Sequence, residues 1–342
     1  MLSRVPPVDQ LRIGILGASR IATRALIGPA EAAGARVVVV AARDRDRAET
    51  YAQEHGIERV ADSYQDVIDD PEVEAVYNPL ANGLHAPWNL VAIATGKHVL
   101  SEKPFASNAD EAAEVRDAAQ RAGVHAVEAF HYTYHPVMRR LHEVMASGEV
   151  GDLRSVETVT AIPAPGPDDP RWSLPLAGGA LMDVGCYNLR AMRELAPFAG
   201  GEPALVGARA GERQGAPGVD EWIDAEFAFP SGATGLMRCN MSAADPEISL
   251  HVTGTRGQVI VPSFVVPHWD PRVMIHTPEG ERIDELSPRT SYAYQLDAFT
   301  ALVREGVPVP TNSDDAVVNM QLIDACYRAA GFEPRPRSPR IA

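Results

Sequence analysis

The sequence predicts an α/β plus α+β architecture: an N-terminal doubly wound parallel sheet, then a C-terminal open sheet of mixed or antiparallel strands flanked by helices. Three observations lead there. Up to about residue 150, short β-branched runs alternate with helical patterns; a turn of small residues follows the first of these runs; and beyond it strand signals dominate until helical patterns return near the C-terminus. Strict alternation with short connections builds a parallel sheet, whereas an unbroken block of strands builds an antiparallel or mixed one.

Taken in order, "LRIGILG" (11–17) and "ARVVVVAA" (35–42) are short, apolar and ended by glycine or charge, as buried strands are. A helical pattern from Ile21 to Ala33 joins them. "AETYAQEHG" (48–56) is helical and stops at Gly56, a residue suited to the left-handed turn that closes a helix. Strands follow at 74–80, 97–102 and 125–130, separated by helices at 85–95 and 108–123. The second of these helices opens on Asn108 as a cap, with acids in its first turns. A helix over 136–147 and a turn at 148–151 close this stretch. Strands are then expected at 153–162, 222–230, 233–242 and 247–261, interrupted by proline-rich loops such as "IPAPGPDDP", and helices return at 292–304 and 314–330. The tail "FEPRPRSPRIA" reads as poorly ordered.

Length and composition bound the rest. A chain of 342 residues is expected to form two domains, assigned here to 1–130 and 131–342. At 45% hydrophobic and 23% charged residues it is ordinary globular material. The net charge of −15 argues against nucleic acid or an anionic membrane as a partner, because both need a basic footprint. Cys186, Cys239 and Cys326 are far apart and odd in number, so neither a disulfide framework nor a metal-ligand spacing is expected. A reducing compartment follows. "MLSRVPPVDQ" lacks the apolar stretch of a signal peptide, and no run approaches the roughly 20 apolar residues of a membrane helix, so a cytoplasmic location is expected.

"GILGASRIA" (14–22) lies between a strand and a helix, where a dinucleotide fingerprint belongs. Helix N-termini offer free N–H groups and a positive dipole end to a pyrophosphate. Gly17 holds the first glycine position of that fingerprint, Ser19 stands at the second and Ala22 at the third. Gly17, Ser19, Arg20 and Ile21 are therefore cofactor-binding candidates, the alternative being a tight structural turn. In an NAD-binding Rossmann domain the second strand ends in an acid that bonds the ribose 2′-OH. Here Ala42 and Arg43 occupy that place, and a guanidinium suits a 2′-phosphate. NADP is expected as the cofactor, with NAD the alternative. Arg45 and Arg47 stand near enough to help, and the competing reading places all three arginines, alternating with Asp44 and Asp46, on a solvated face.

Several segments together resemble the Gfo/Idh/MocA oxidoreductases: "GILGASRIA", "VYNPLANGLH" (76–85), "GKHVLSEKPFA" (96–106), "EAFHYTYHP" (128–136) and "GGALMDVGCYNL" (178–189), in that order. The resemblance implies a Rossmann domain followed by an α+β domain whose large open sheet is often used for oligomerisation, here into a dimer or tetramer. It implies that Glu102 and Lys103 border the nicotinamide, Lys103 bonding the reacting oxygen, Glu102 orienting the lysine and Pro104 fixing the turn. A desolvated lysine with a lowered pKa would also shuttle a proton. Asp183 and Tyr187 are four apart and share a face if helical. As in the glucose–fructose oxidoreductase and dihydrodiol dehydrogenase branches, Tyr187 becomes the candidate proton donor and acceptor, its pKa lowered by Lys103, while Asp183 positions substrate or lysine. Leu80, Asn82 and His85 would line the nicotinamide ribose, His131 and Tyr132 the substrate, and Arg171 and Trp172 the cofactor or substrate. Thr133 stands where relatives often carry an arginine.

The expected function is NADP-preferring hydride transfer between a secondary alcohol and a ketone on a sugar, a polyol or a related cyclic diol. Oxidation of arene trans-dihydrodiols is one alternative. A non-catalytic dinucleotide sensor is another, and it would not need Lys103, Asp183 and Tyr187 together. No metal is expected: His131 and His135 are spaced as helical zinc ligands, but Pro136 breaks a continuous helix there.

Overall fold

The computed structural model describes residues 10–339 and residue 341. Its first sheet contains β1 (Leu11–Leu16), β2 (Ala35–Ala41), β3 (Arg59–Val60), β4 (Ala75–Asn78), β5 (His98–Ser101) and β6 (Ala126–Glu128). All pairs are parallel, in the order β3-β2-β1-β4-β5-β6. That order reverses direction between β1 and β4, which opens a crevice beyond the carboxyl ends of the strands. β3 and the helix Tyr64–Asp69, capped by Ser63, have no counterpart in the sequence reading. A two-residue edge strand and a six-residue helix are too short to show a period.

The helix after β1 runs over 20–30, with a π-helical turn at Thr23–Ile27 between two α-helical ends. The widened turn contains Ala25, whose carbonyl would otherwise meet the ring of Pro29. The expected helices at 85–95, 108–123 and 136–147 appear as His85–Ala94, Ala109–Ala122 and Pro136–Ser147, with Asn108 Oδ1 accepting from Glu111 N.

The second sheet has eight strands: β7 (Leu153–Ala161), β8 (Ala204–Glu212), β9 (Asp220–Ala228), β10 (Thr234–Asn240), β11 (Glu247–Gly254), β12 (Gln258–Val261), β13 (Arg272–Thr277) and β14 (Gly280–Glu285). Their order is β14-β13-β12-β11-β7-β10-β9-β8, mixed because β7 and β10 run parallel while the other pairs are antiparallel. The single strand expected over 247–261 is a hairpin instead, turned at 255–257 and closed by Gly254 N donating to Gly257 O. β8, β13 and β14 were not anticipated. β8 is rich in Ala and Gly and β14 is mostly charged, so neither carries an apolar alternation.

The helices Cys186–Arg193 and Ser313–Ala329 cover one face of this sheet, and Ser313–Ala329 also packs on Ala109–Ala122 of the first unit. The helix Ser291–Glu305 returns to the parallel sheet. There Tyr292, Leu296, Phe299 and Leu302 share a core with Leu11, Ile13, Ala22 and Leu26, and Arg304 chelates Glu74 at 2.8 and 2.7 Å. The tail departs from its expectation: Arg335 is 2% exposed and ion-paired to Asp220. Its anchor lies 115 positions away in sequence, so local composition could not reveal it. Among the described residues no helix is long and apolar enough to cross a membrane.

Candidate active site

Every strand of the parallel sheet points its carboxyl end at one edge, so the loops after β1, β2, β4, β5 and β6 converge. After β1, Gly17 takes φ +99°, and a Cβ there would stand 3.1 Å from the Leu80 side chain. Only glycine allows this backbone. Gly17 N–H donates to Ala41 O at 2.8 Å, and Ser19 caps the helix by accepting from Ile21 N at 3.4 Å. Arg20 is exposed and Ile21 half-buried beside them.

Three arginines follow β2, and they divide their tasks. Arg45 pairs with Glu49 at 2.8 Å and with Asp62, while Arg47 donates to Ala18 O at 2.6 Å and so braces the Gly17 turn. Arg43 is exposed and has no hydrogen bond or ion pair among the described residues. The cradle therefore fits a dinucleotide: a Cβ-free turn at a helix start for the pyrophosphate, and an uncommitted guanidinium where a 2′-phosphate would sit.

At the β4 and β5 ends the loops are locked together. Asn82 Nδ2 donates to Ala177 O at 3.2 Å, reaching the second unit, and Leu80 is half-buried against Gly17. His85 is 1% exposed, with Nδ1 2.7 Å from Pro104 O and Nε2 2.9 Å from Leu80 O. Burial pushes its pKa down to about 4 against the pull of those two carbonyls. The neutral imidazole has one N–H to give, so it donates to one of these carbonyls while its ring is wedged between the Leu80 loop and the Lys103–Pro104 turn.

Glu102 is buried and accepts a hydrogen bond from Tyr77 Oη at 2.7 Å; burial raises its pKa, with Lys103 and Tyr77 opposing. Lys103 Nζ donates to Asp183 O at 2.8 Å, lies 3.4 Å from Asp183 Oδ1, and sits 5.0 Å from the centroid of the Tyr187 ring. Asp183 Oδ2 is 3.5 Å from Arg171 Nη1, and Arg171 also forks onto Asp169 with two bonds of 2.9 Å. Burial disfavours the ammonium, but Asp183 and then Cys186 and Glu102 outweigh it, so Lys103 titrates above its ordinary value. This reverses the lowered pKa expected for a desolvated lysine: the partner carboxylate wins.

Asp183 lies in a π-helical turn, Leu181–Gly185, and Tyr187 is the second residue of the helix that continues it. Burial, then Tyr292, Glu102, Cys186 and Asp183, push the phenol of Tyr187 well above its usual value, so the lowering expected from Lys103 does not prevail. Among the described residues its hydroxyl makes no hydrogen bond. The site thus holds a fixed cation beside a protonated, uncommitted phenol.

The remaining candidates form the surroundings. His131 is 1% exposed, with Nδ1 2.8 Å from Ser291 Oγ and its ring 3.9 Å from that of Tyr292. Tyr132 is fully buried, 5.6 Å from Phe264 and 6.0 Å from Tyr187 between ring centroids. Both pack beside the Tyr187 ring. Thr133 turns away, donating to Glu194 Oε1 at 2.6 Å beside a separate cavity of about 660 Å³. Trp172 is 7% exposed, bonded through Nε1 to Pro165 O at 3.4 Å, with the Arg213 guanidinium 4.7 Å from its ring, so it anchors its own loop. Sequence reasoning missed Tyr77 and Glu128. Glu128 is fully buried and accepts from Phe105 N at 2.9 Å, and burial, with Asp315, pushes its pKa up to about 8. "EAFHY" carried the only signal for it, a carboxylate in an apolar strand.

Comparison with known proteins adds to this geometry. Residues 11–130 match the family described as an oxidoreductase family with an NAD-binding Rossmann fold, and residues 138–260 match the GFO/IDH/MocA C-terminal domain. The chain is similar to D-xylose 1-dehydrogenase (NADP(+)) 2 of Haloferax volcanii, with 36% identity over 94% of this chain and 97% of that one. It also resembles the trans-1,2-dihydrobenzene-1,2-diol dehydrogenase of Mus musculus, with 32% identity over 75% and 76% of the two chains. Among solved structures, a 3-ketoreductase from Actinomadura kijaniata in complex with NADP and TDP-benzene superposes with a TM-score of 0.87 at 27% identity, covering 94% of this chain and 98% of the other.

Proposed function

We propose that this chain, which belongs to the GFO/IDH/MocA oxidoreductase family, is an NADP-preferring enzyme that interconverts a secondary alcohol and a ketone on a sugar or polyol. The observation that carries the reading is the meeting of Lys103, Asp183 and Tyr187 at the carboxyl edge of the parallel sheet. When bound, a nicotinamide dinucleotide supplies the hydride acceptor or donor. Gly17, Ser19 and Arg43 are the residues fitted to hold it. The Lys103 ammonium donates to the reacting oxygen and stabilises the negative charge that builds there. In the direction of reduction the Tyr187 phenol gives its proton to that oxygen, and the phenolate so formed, beside the Lys103 ammonium, regains one from solvent; in the direction of oxidation it is the phenolate that takes the proton of the reacting hydroxyl. Asp183 fixes Lys103, and Arg171 fixes Asp183.

The substrate class draws support from the xylose dehydrogenase and ketoreductase relatives, and the diol alternative from the mouse relative. The assay is oxidation of NADPH and reduction of NADP+ over a panel of aldoses, ketoses, deoxysugar ketones and trans-dihydrodiols. Turnover confined to sugars supports the reading. Turnover confined to dihydrodiols replaces it with the diol reading, and dinucleotide binding without any turnover replaces it with a sensor.

Leu236, Ile260 and Met274 alternate with the buried residues of their strands, and Ile283 pairs directly with Met274, so all four face the outer side of the eight-stranded sheet. Such a face favours cover by a second copy, giving a dimer or tetramer. A monomer in light scattering at micromolar concentration overturns this. The three free, buried cysteines favour a reducing, cytoplasmic setting. We assign 1–130 to cofactor binding and 131–342 to substrate binding and assembly, with the helix Ser291–Glu305 packed back on the first unit.

A further inference from the structure

The C-terminal segment touches both walls of the site. Pro334 and Pro336 flank Arg335, and a residue that precedes proline is disfavoured in the helical region. The Arg335 guanidinium donates to Gly218 O at 2.8 Å and to Asp220 Oδ1, and lies 4.1 Å from the Tyr327 ring centroid. Tyr327 Oη donates to the same carboxylate oxygen at 2.9 Å. The other oxygen of Asp220 accepts from Leu181 N at 2.7 Å, and Leu181 opens the turn whose Asp183 carbonyl holds Lys103. Gly179, at φ +136°, has no room for a Cβ because Asp220 and Arg335 fill that place.

Three residues on, the same segment reaches the other wall. Ser338 Oγ lies 2.8 Å from Ser107 Oγ, and Ser338 N–H donates to Glu111, which also accepts from Ser107 N at 3.1 Å. Asn108 Nδ2 donates to Arg335 O at 3.1 Å. Ser107 follows Lys103 by four residues, and Pro104, Phe105 and Ala106 between them are buried. A single short stretch is thus linked through Asp220 to the turn that bears Asp183 and bonded directly to the loop that bears Lys103.

We propose that residues 335–338 are a strap that sets the distance between Lys103 and Asp183, with Arg335 as a positioning residue acting through Asp220 and Leu181. This rests on the role given above to Lys103. Arg335 never touches substrate or cofactor. Its effect passes through a buried carboxylate to one backbone N–H, and a displacement of about 1 Å at a reacting group costs on the order of 100-fold in rate.

The test compares full-length wild type, Arg335→Met, Arg335→Lys and Ser338→Ala, all saturated with NADPH. Amide exchange is read over 179–185 and 103–107, together with kcat, KM and Tm on the most active sugar of the panel. Ser338→Ala leaves no buried charge unpaired, so it keeps the test open if Arg335→Met does not fold. The expected result is faster exchange in both segments, a fall in kcat of about 10- to 100-fold with KM for NADPH unchanged, and partial recovery of both in Arg335→Lys. Lower Tm with unchanged exchange in the two segments overturns the proposal. So does faster exchange with unchanged kcat. A wild type without turnover sinks the function above instead, and the exchange then decides alone: acceleration in both segments upholds the strap, and its absence overturns it.

Discussion

The ammonium of Lys103 is bonded to the main chain of Asp183 at 2.8 Å while it hovers 5.0 Å from the centre of the Tyr187 ring. One cation is thus shared between a carbonyl that fixes it and an aromatic ring whose hydroxyl is left over for chemistry. Lys103 follows a strand of the parallel sheet, while Asp183 and Tyr187 lie on a helix packed against the eight-stranded sheet, so the site exists only where the two units meet.

Replacing Tyr187 by Phe keeps the ring under the ammonium and removes only the proton. We expect kcat to fall by about 10²- to 10⁴-fold with NADPH affinity retained, read by steady-state kinetics and fluorescence titration. Lys103→Met should lose at least as much. Because Asp183 raises the Lys103 pKa and burial raises that of Tyr187, wild-type kcat for ketone reduction should show no inflection from either group between about pH 6 and 10, whereas kcat for alcohol oxidation should rise with pH as the phenolate fraction grows.

Arg43 is exposed and uncommitted, so its loss should leave the fold intact. Arg43→Ala is expected to weaken NADPH binding by about 1.5–3 kcal/mol, roughly 10- to 150-fold, as for a lost charge-assisted bond, and to leave NADH binding unchanged. Equal weakening of both dinucleotides would assign Arg43 to the adenine or the pyrophosphate instead.

Glu128 gives a stability test. Its folded-state pKa is pushed up to about 8 from an ordinary 4.5, so between those values the folded protein keeps a proton that the unfolded chain has lost. Stability from this group is therefore complete below the lower value and declines as pH rises through the upper one, by on the order of a few kcal/mol. Glu128→Gln keeps an acceptor for Phe105 N–H and should flatten that decline in urea titrations from pH 5 to 8.

Tyr77→Phe removes the bond to Glu102 and leaves the buried carboxyl short of a donor. Urea denaturation should show a loss of about 1–3 kcal/mol. A loss near zero would mean that water reaches Glu102.

The parallel sheet was legible because buried strands and capped helices are local: Asn108, Gly56 and the run "VVVV" each announce themselves within a few residues. Lys103, Asp183 and Tyr187 were legible through motif resemblance, and the fold does bring them together. What escaped was non-local or thin. β3 has two residues, and β14 is charged; the hairpin at 255–257 was marked only by the glycines Gly254 and Gly257. The pKa expectations for Lys103 and Tyr187 failed because both depend on the folded surroundings: burial raises Tyr187, and the Asp183 carboxylate, 80 positions from Lys103, outweighs the burial of the lysine.

The helix Ser291–Glu305, which lies against the parallel sheet, bears on how this polypeptide can be cut or assembled. A fragment ending at residue 130 would carry all six strands yet lack Tyr292, Leu296 and Phe299, leaving Leu11, Ile13 and Leu26 without part of their cover. Such a fragment should be aggregation-prone, and the intact protein should melt as one cooperative unit rather than in two steps. During synthesis the nucleotide-binding half would remain incomplete until nearly the whole chain has left the ribosome.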